Sequence, residues 1–229
     1  MTAHSKLGPS SAKRWMSCPG SVALNALYPD NRSSKFADEG SVAHWLAETA
    51  LGVISSGATF DWAKYIGRTC PEYLDIAITW EMVDYVKAYV AYVMQVKGAD
   101  TLHIEQRYDL SWLHAGIFGT SDATIYHPET RHLDVIDLKY GKGVAVSAEG
   151  NLQGVLYALG AAADVWDDVQ TISIHIHQPR ISPEPSVWTL TVEELRQLAT
   201  DLKTGAVAAT APNAPRCYDP EACRWCAGR

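Results

Sequence analysis

The stretch from Ile117 to Lys139 limits what this chain can fold into more than any other. Ile117 to His127 and Arg131 to Lys139 carry the β-branched and aromatic content of strands. Between them Pro128, Glu129, Thr130 and Arg131 have turn chemistry, so a hairpin centred between Glu129 and Thr130 is expected. That register sets Asp122 opposite Asp137, with Cβ atoms about 4.5–5.5 Å apart, where like charges repel unless something positive lies between them. Lys139 follows Asp137 by two residues, and the strand period puts its ammonium on the same face.

The remaining chain supplies what such a hairpin needs in order to be buried. Leu102 to Asp109 reads as a third strand of the meander, and Thr171 to His177 and Ser186 to Thr191 as two more. Glu149 to Asp164 and Val192 to Val207 read as helices. Ahead of the meander, Ser10 is expected to cap a helix after Pro9, Ser21 to Tyr28 to form a second that stops at Tyr28, Pro29 and Asp30, and Asp38 to Val53 a third. Gly57 to Thr69 reads as a loop. Pro71 then stands where a first-turn proline belongs, ahead of Leu74, Ile78, Met82, Val86, Tyr89 and Val93, which predicts a helix of about 26 residues. The expected fold is α/β, a central mixed sheet flanked by helices with an N-terminal helical region beside it as a wall or arch. Three regions are expected: 1–98 helical, 99–210 the sheet-bearing core, and 211–229 a cysteine segment, with Ala206 to Pro215 as its linker.

Lys and Arg number 19 against 26 Asp and Glu, a net charge of −7, so contact with nucleic acid has to come from a local basic patch or bound cations. No run of 18 apolar residues occurs, and the segment from Met1 to Ser17, with Lys6, Lys13 and Arg14, lacks the apolar stretch of a secretory signal. A cytoplasmic protein without membrane association is expected.

Two facing carboxylates are natural ligands for Mg²⁺ or Mn²⁺, which hold phosphate oxygens and lower the pKa of bound water. Lys139 can orient that water or stabilise negative charge as a phosphodiester is attacked. An ordinary cross-strand ion pair between Asp122 and Lys139 is the plainer alternative. Gly141, Lys142 and Gly143 offer backbone N–H groups to a phosphate, or simply form a turn. Glu149, Gln153 and Tyr157, spaced by four, share one face of the expected helix.

Asp122, then Asp137, Leu138 and Lys139, then Gln153 and Tyr157, resemble the signature of the PD-(D/E)-x-K nucleases in their RecB-like exonuclease branch. Ser10 to Ser21, Glu39 to His44, Gly119 to Asp122 and Ile136 to Gly143 resemble a phage and prophage group within it. The resemblance covers most of the chain and implies a restriction-endonuclease-like core. It further implies a Mg²⁺- or Mn²⁺-dependent deoxyribonuclease that digests DNA exonucleolytically, single-stranded or with free ends, in phage recombination or end processing of a bacterial or phage-infected cell. His44, Asp122, Asp137 and, from the preceding strand, Glu105 would hold the metal. Lys139 would be the catalytic lysine, and Gln153 and Tyr157 match the branch's Q-x-x-x-Y motif. The alternative is a non-catalytic module that keeps the fold to bind DNA or a recombination or replication partner.

Five cysteines make a disulfide framework unsuited to such a chain. Cys18, Cys217, Cys223 and Cys226 can meet if the two ends of the chain dock, and four thiolates hold a [4Fe–4S] cluster or zinc. The resemblance implies the cluster, although here the additional cysteine precedes the C-x2-C pair, where the branch has a later one. Cys70 is expected to be a free thiol. His175 and His177 are expected on a polar strand surface, and Tyr85, Tyr89 and Tyr92 as a helical stripe that packs on a neighbouring helix or stacks on bases.

Overall fold

The structure, a computed structural model, describes residues 5–28, 34–224 and 226–228. The helix stop expected at Pro29 and Asp30 lies outside them. A 3₁₀ turn over Pro9–Ser11 leads into α1 (Ala12–Ser17) and α2 (Ser21–Leu27). The long α3 (Lys35–Ser55) follows, then a short hairpin of β1 (Thr69–Cys70) and β2 (Tyr73–Ala77), then α4 (Trp80–Lys97). The meander is β3 (Leu102–Asp109), β4 (Phe118–His127) and β5 (His132–Leu138). After it come α5 (Leu152–Ala162), β6 (Thr171–His177), β7 (Ser186–Thr191), α6 (Val192–Thr210) and the short α7 (Pro220–Arg224).

Strands β3 to β7 form one mixed sheet in sequence order. Only β5 and β6 run parallel, and α5 makes the crossover that a parallel pair requires. One face carries Leu133, Val135, Ile172, Ile174 and Ile176 under α5, α6 and α1. The other carries Ile125, Ile136 and Leu138 under α3 and α4. Pressed between the sheet and outer helices, α5 is apolar on most sides, and Gly154 lets it settle, since a Cβ there would lie 2.4 Å from Ile174 Cγ2. This α/β architecture with helices on both faces of a five-stranded mixed sheet is the one expected.

The β4–β5 register is also the expected one, with Ala123 opposite Ile136. Three expected strand residues lie outside the ladder: Ile117 precedes β4, Lys139 follows β5, and Arg131, at φ 56°, completes the turn so that β5 begins at His132.

The 26-residue helix is corrected. Pro71 lies in the turn of the β1–β2 hairpin, and α4 starts nine residues later, where Thr79 caps it by accepting from the Met82 N–H. A true N-cap outweighed the proline signal, and Leu74, expected on the buried stripe, is 71% exposed on β2. Ser10 lies within the 3₁₀ turn instead of capping, Ser11 being the residue ahead of α1. Asn151 caps α5, so Glu149 precedes the helix and does not share the face of Gln153 and Tyr157. Ala206 to Thr210 still belong to α6, which shortens the expected linker.

Candidate active site

The β4–β5 ladder closes at Ala123 and Ile136, and the next residues along, Asp122 and Asp137, open onto a cavity of about 620 Å³. His44, Glu105, Lys139, Gln153 and Tyr157 line it as well. Asp122 is anchored through Oδ2, which accepts the Leu138 N–H at 2.7 Å, leaving Oδ1 3.3 Å from His44 Nδ1. His44 reaches it from the middle of α3. A helix neighbour such as Glu48 is the usual partner of a helical histidine, but here the cross-element carboxylate takes that place.

Glu105 comes from β3, where Ile104 pairs with Ala123 and Gln106 with Ser121, so that Glu105 stands opposite Asp122. Its φ of 47° is a left-handed conformation that costs a side-chain-bearing residue on the order of 1–3 kcal/mol. Such strain persists where surrounding structure demands it, and here it accompanies a carboxylate aimed into the cavity. One ligand atom each from His44, Glu105 and Asp122 lie within 4.8 Å of one another.

Lys139 Nζ is 2.8 Å from Asp137 Oδ2 and donates to Gln153 Oε1 at 2.9 Å. Gln153 Nε2 in turn donates to the Tyr157 hydroxyl at 3.1 Å. The Lys139 ammonium is thus the partner of this buried Asp137 oxygen. Tyr157 is held against β4 at Gly119, where a Cβ would lie 2.8 Å from Tyr157 Cε1.

Charge in the cavity is shared unevenly. Burial raises Asp137, and Asp122 raises it further, against the opposing pull of Lys139. Asp122 is lowered instead, because His44, the Leu138 N–H and Lys139 outweigh its burial. Burial next to Asp122 lifts Glu105 to about 7. Burial would depress His44, but Asp122 and Asp137 overcome it and hold the imidazole up at about 9. Lys139 is raised too, since its carboxylate neighbours outweigh its own burial. Burial followed by Asp137 raises the Tyr157 phenol well above its ordinary value.

All seven residues expected at the site are therefore brought together: His44, Glu105, Asp122, Asp137, Lys139, Gln153 and Tyr157. Gly141 and Gly143 are not among the cavity residues. Their loop is pinned from outside by Gln178 Nε2, which donates to Gly141 O and Val144 O, and neither glycine has a positive φ. Glu48, Glu72 and Tyr73, not expected at the site, also line the cavity. Glu48 was accessible from its i+4 spacing to His44; Glu72 and Tyr73 were hidden by the misplaced start of α4.

At the chain ends, the Cys217 N–H donates to Cys18 Sγ at 3.2 Å, and Asn25 Nδ2 donates to Cys226 Sγ at 3.3 Å. α1 packs on α7, so the two termini do dock. Cys70 is a buried free cysteine away from them, beside Pro71 at the cavity wall. His175 and His177 are not on a polar surface: at 6% and 1% exposure they lie beneath α4, whose Tyr89 and Tyr92 rings pack against them. The tyrosine stripe thus packs on the sheet and, through Tyr85, on Tyr140.

Fold and site together define a class: an α/β protein whose sheet hairpin ends in a buried cluster of acids, one lysine and one histidine. The chain belongs to the DUF2800 family, described as a protein of unknown function, whose pattern matches residues 4–229. Among solved structures it is similar to the "Putative exonuclease" of Eubacterium rectale, with a TM-score of 0.46 and 12% identity over 95% of this chain and 86% of that one. It is also similar to SSO0001, with a TM-score of 0.36 and 14% identity over 94% and 80% of the two chains. Among the described residues no helix is long and apolar enough to cross a membrane.

Proposed function

We propose that this chain is a metal-dependent deoxyribonuclease of the PD-(D/E)-x-K type that removes nucleotides from DNA ends, acting in phage recombination or DNA-end processing. The observation that carries the reading is the convergence of Asp122, Asp137 and Lys139 on one cavity, with Gln153 holding the lysine.

The donor set fits a hard divalent cation. Glu105 and Asp122 offer oxygens and His44 a nitrogen within 4.8 Å of one another, and Asp137 beside them would add a further oxygen. Mg²⁺ or Mn²⁺ bound there would polarise the scissile phosphate and acidify a water. The protein's own part is positional. The Leu138 N–H fixes Asp122, while Gln153 and Tyr157 hold the Lys139 amine beside Asp137. There the charged amine can orient an attacking water or meet charge that develops on the phosphate. Metal neutralisation of this acidic pocket is also how a chain of net charge −7 can accept a polyanion.

Cys18, Cys217, Cys223 and Cys226 are the residues that would hold a [4Fe–4S] cluster, with zinc as the alternative. They come from docked chain ends, and two of their sulfurs already accept N–H groups, as cluster thiolates do. Bound there, the cluster would tie the chain ends together. Anaerobic purification followed by iron and sulfide analysis tests this point.

The test of the activity is digestion of end-labelled single- and double-stranded DNA with Mg²⁺ or Mn²⁺. Wild type should release nucleotides from the ends and Lys139→Ala should not. Equal behaviour of the two proteins, or no digestion by wild type with either metal, would leave a DNA- or partner-binding module instead.

A further inference from the structure

The face of β5 turned away from Asp137 carries a second cluster. Asp134, 5% exposed, is surrounded by three imidazoles: His175 Nε2 is 2.6 Å and His132 Nε2 3.2 Å from its Oδ1, and His127 Nε2 is 2.9 Å from its Oδ2. The second nitrogen of every ring has an oxygen of its own. His127 Nδ1 lies 2.5 Å from Asp100 Oδ2, His132 Nδ1 2.7 Å from Thr171 Oγ1, and His175 Nδ1 2.7 Å from the Tyr92 hydroxyl. Three Nε2 atoms thus surround one carboxylate, two at Oδ1 and one at Oδ2, while each Nδ1 is held from outside by a group able to accept its N–H.

That is the wiring of metal-ligating histidines, whose non-ligating N–H is characteristically held by a carboxylate, hydroxyl or similar acceptor that fixes tautomer and ring orientation. Four strands and loops contribute: Asp100 from the α4–β3 connection, His127 from the end of β4, His132 and Asp134 from β5, His175 from β6. A hydrogen-bonded surface patch has no need of three rings turned inward on a single carboxylate.

We propose that His127, His132, His175 and Asp134 form a second metal site, for a divalent transition ion of the zinc class. Three imidazole nitrogens and one carboxylate oxygen would make a closed four-donor set once the rings draw in on an ion at the place the Asp134 carboxylate now fills, and imidazole-rich sets favour zinc, cobalt or nickel over magnesium. In the metal-free arrangement the Nε2–H groups donate to Asp134, and Thr171 and Tyr92 donate to the Nδ1 atoms facing them. On binding, His132 and His175 carry their single proton on Nδ1 instead of Nε2, so that Thr171 and Tyr92 turn to accept; His127, whose Nδ1–H already faces Asp100, releases its Nε2 proton to solvent; and Asp134 swings from the centre of the cluster to one side. The side chains of His127 and His132 are 17% and 23% exposed, against 8% for His175, so an ion enters past the turn that joins β4 to β5. With every position filled by protein the site is structural, tying that turn to β6, and it is independent of the nuclease reading.

The experiment is a titration of the full-length, chelator-stripped protein with Co²⁺ in excess Mg²⁺, followed by visible absorption. One equivalent should give the intense d–d bands of four-coordinate cobalt without a thiolate charge-transfer band. The bands should survive in Asp122→Asn and in Cys217→Ser/Cys223→Ser, and disappear in His127→Gln/His132→Gln. Asp100→Asn, a change at the rim of the cluster, should weaken binding by about 10–100-fold while circular dichroism stays that of the wild type. Absence of the bands in wild type, or their persistence in the double histidine variant, would overturn the site and leave a hydrogen-bonded network. Bands lost in Asp122→Asn would overturn it too, by assigning the cobalt to the other cavity.

Discussion

At one end of the β4–β5 hairpin three carboxyl groups, Asp122, Asp137 and Glu105, share two cationic partners, Lys139 and His44. On the opposite face of β5 a single carboxylate, Asp134, is shared by three imidazoles, and every ring nitrogen has a partner. Both clusters are built from acids and histidines, and β4 and β5 contribute to each. What separates them is satisfaction: acids in excess, opening on a cavity, leave work for a cation and a polyanionic substrate, whereas a saturated acid between strands holds the sheet together. Even the direction of the carboxyl shifts follows. Burial and Asp122 push Asp137 up, while the hydrogen bonds of His132 and His175 overcome burial and hold Asp134 far below the ordinary range.

The sharpest way to break this contrast is to remove a carboxylate from each side. Asp137→Asn should lower the rate of DNA digestion by about 10³-fold with little loss of thermal stability, because its charge is spent on the metal and on Lys139. Asp134→Ala should do the reverse, with unfolding in urea showing a loss of about 3–5 kcal/mol, since three inward-facing rings lose their common acceptor. If both substitutions cost stability alike and activity alike, the division between an open and a saturated cluster is wrong.

Acidity sharpens it further. In the metal-free protein Glu105 sits at about 7 against an ordinary 4.5, so the folded state binds its proton more tightly than the unfolded state does. Its contribution is therefore fully favourable below pH 4.5 and is lost as pH rises through 7, a change of about 3 kcal/mol at most. His44, raised to about 9, continues the same trend from 6.5 upward. Melting in EDTA should show stability falling between pH 5 and 8, Glu105→Gln should flatten the fall, and Mn²⁺ should restore stability at pH 8. A wild-type protein whose melting temperature rises over that interval would contradict the charge balance described for the cavity. Smaller still is Tyr157→Phe, which removes one hydrogen bond to Gln153. It should cost about 1 kcal/mol in kcat/KM, or a five- to tenfold loss, read in the same digestion assay.

How much of this was legible beforehand depended on whether the signal was local. The hairpin register, and with it the pairing of Asp122 with Asp137, followed from turn chemistry and a strand period of two, and Lys139 followed from the same period. Gln153 and Tyr157 were placed on one helix face by their spacing, but that this face meets the site, and that His44 does, came through resemblance, because nothing in a helix's own sequence says which strand it will face. The Asp134 cluster stayed hidden for a related reason. Its residues come from separate elements, and His175 and His177 read as polar when α4 is not known to lie over them. The β1–β2 hairpin was lost to a proline that suits a helix start as well as a turn, and only the Thr79 cap decides between them.

Glu149 is the smallest and most exposed test of that same lesson. Four-residue spacing to Gln153 and Tyr157 made it a member of one polar helix face, which would put a third group within reach of Lys139. Asn151 caps α5 two residues later, so Glu149 lies outside the helix, exposed, with its N–H turned to Ser147 Oγ. Its carboxylate is absent from the cavity lining, and Lys139 is occupied by Asp137 and Gln153 without it. Glu149→Gln should therefore leave digestion unchanged and stability within about 0.5 kcal/mol of wild type, the ordinary range for a surface substitution. A tenfold loss of activity in this variant would mean that α5 extends by a turn when DNA is bound, bringing Glu149 onto the face its spacing suggests.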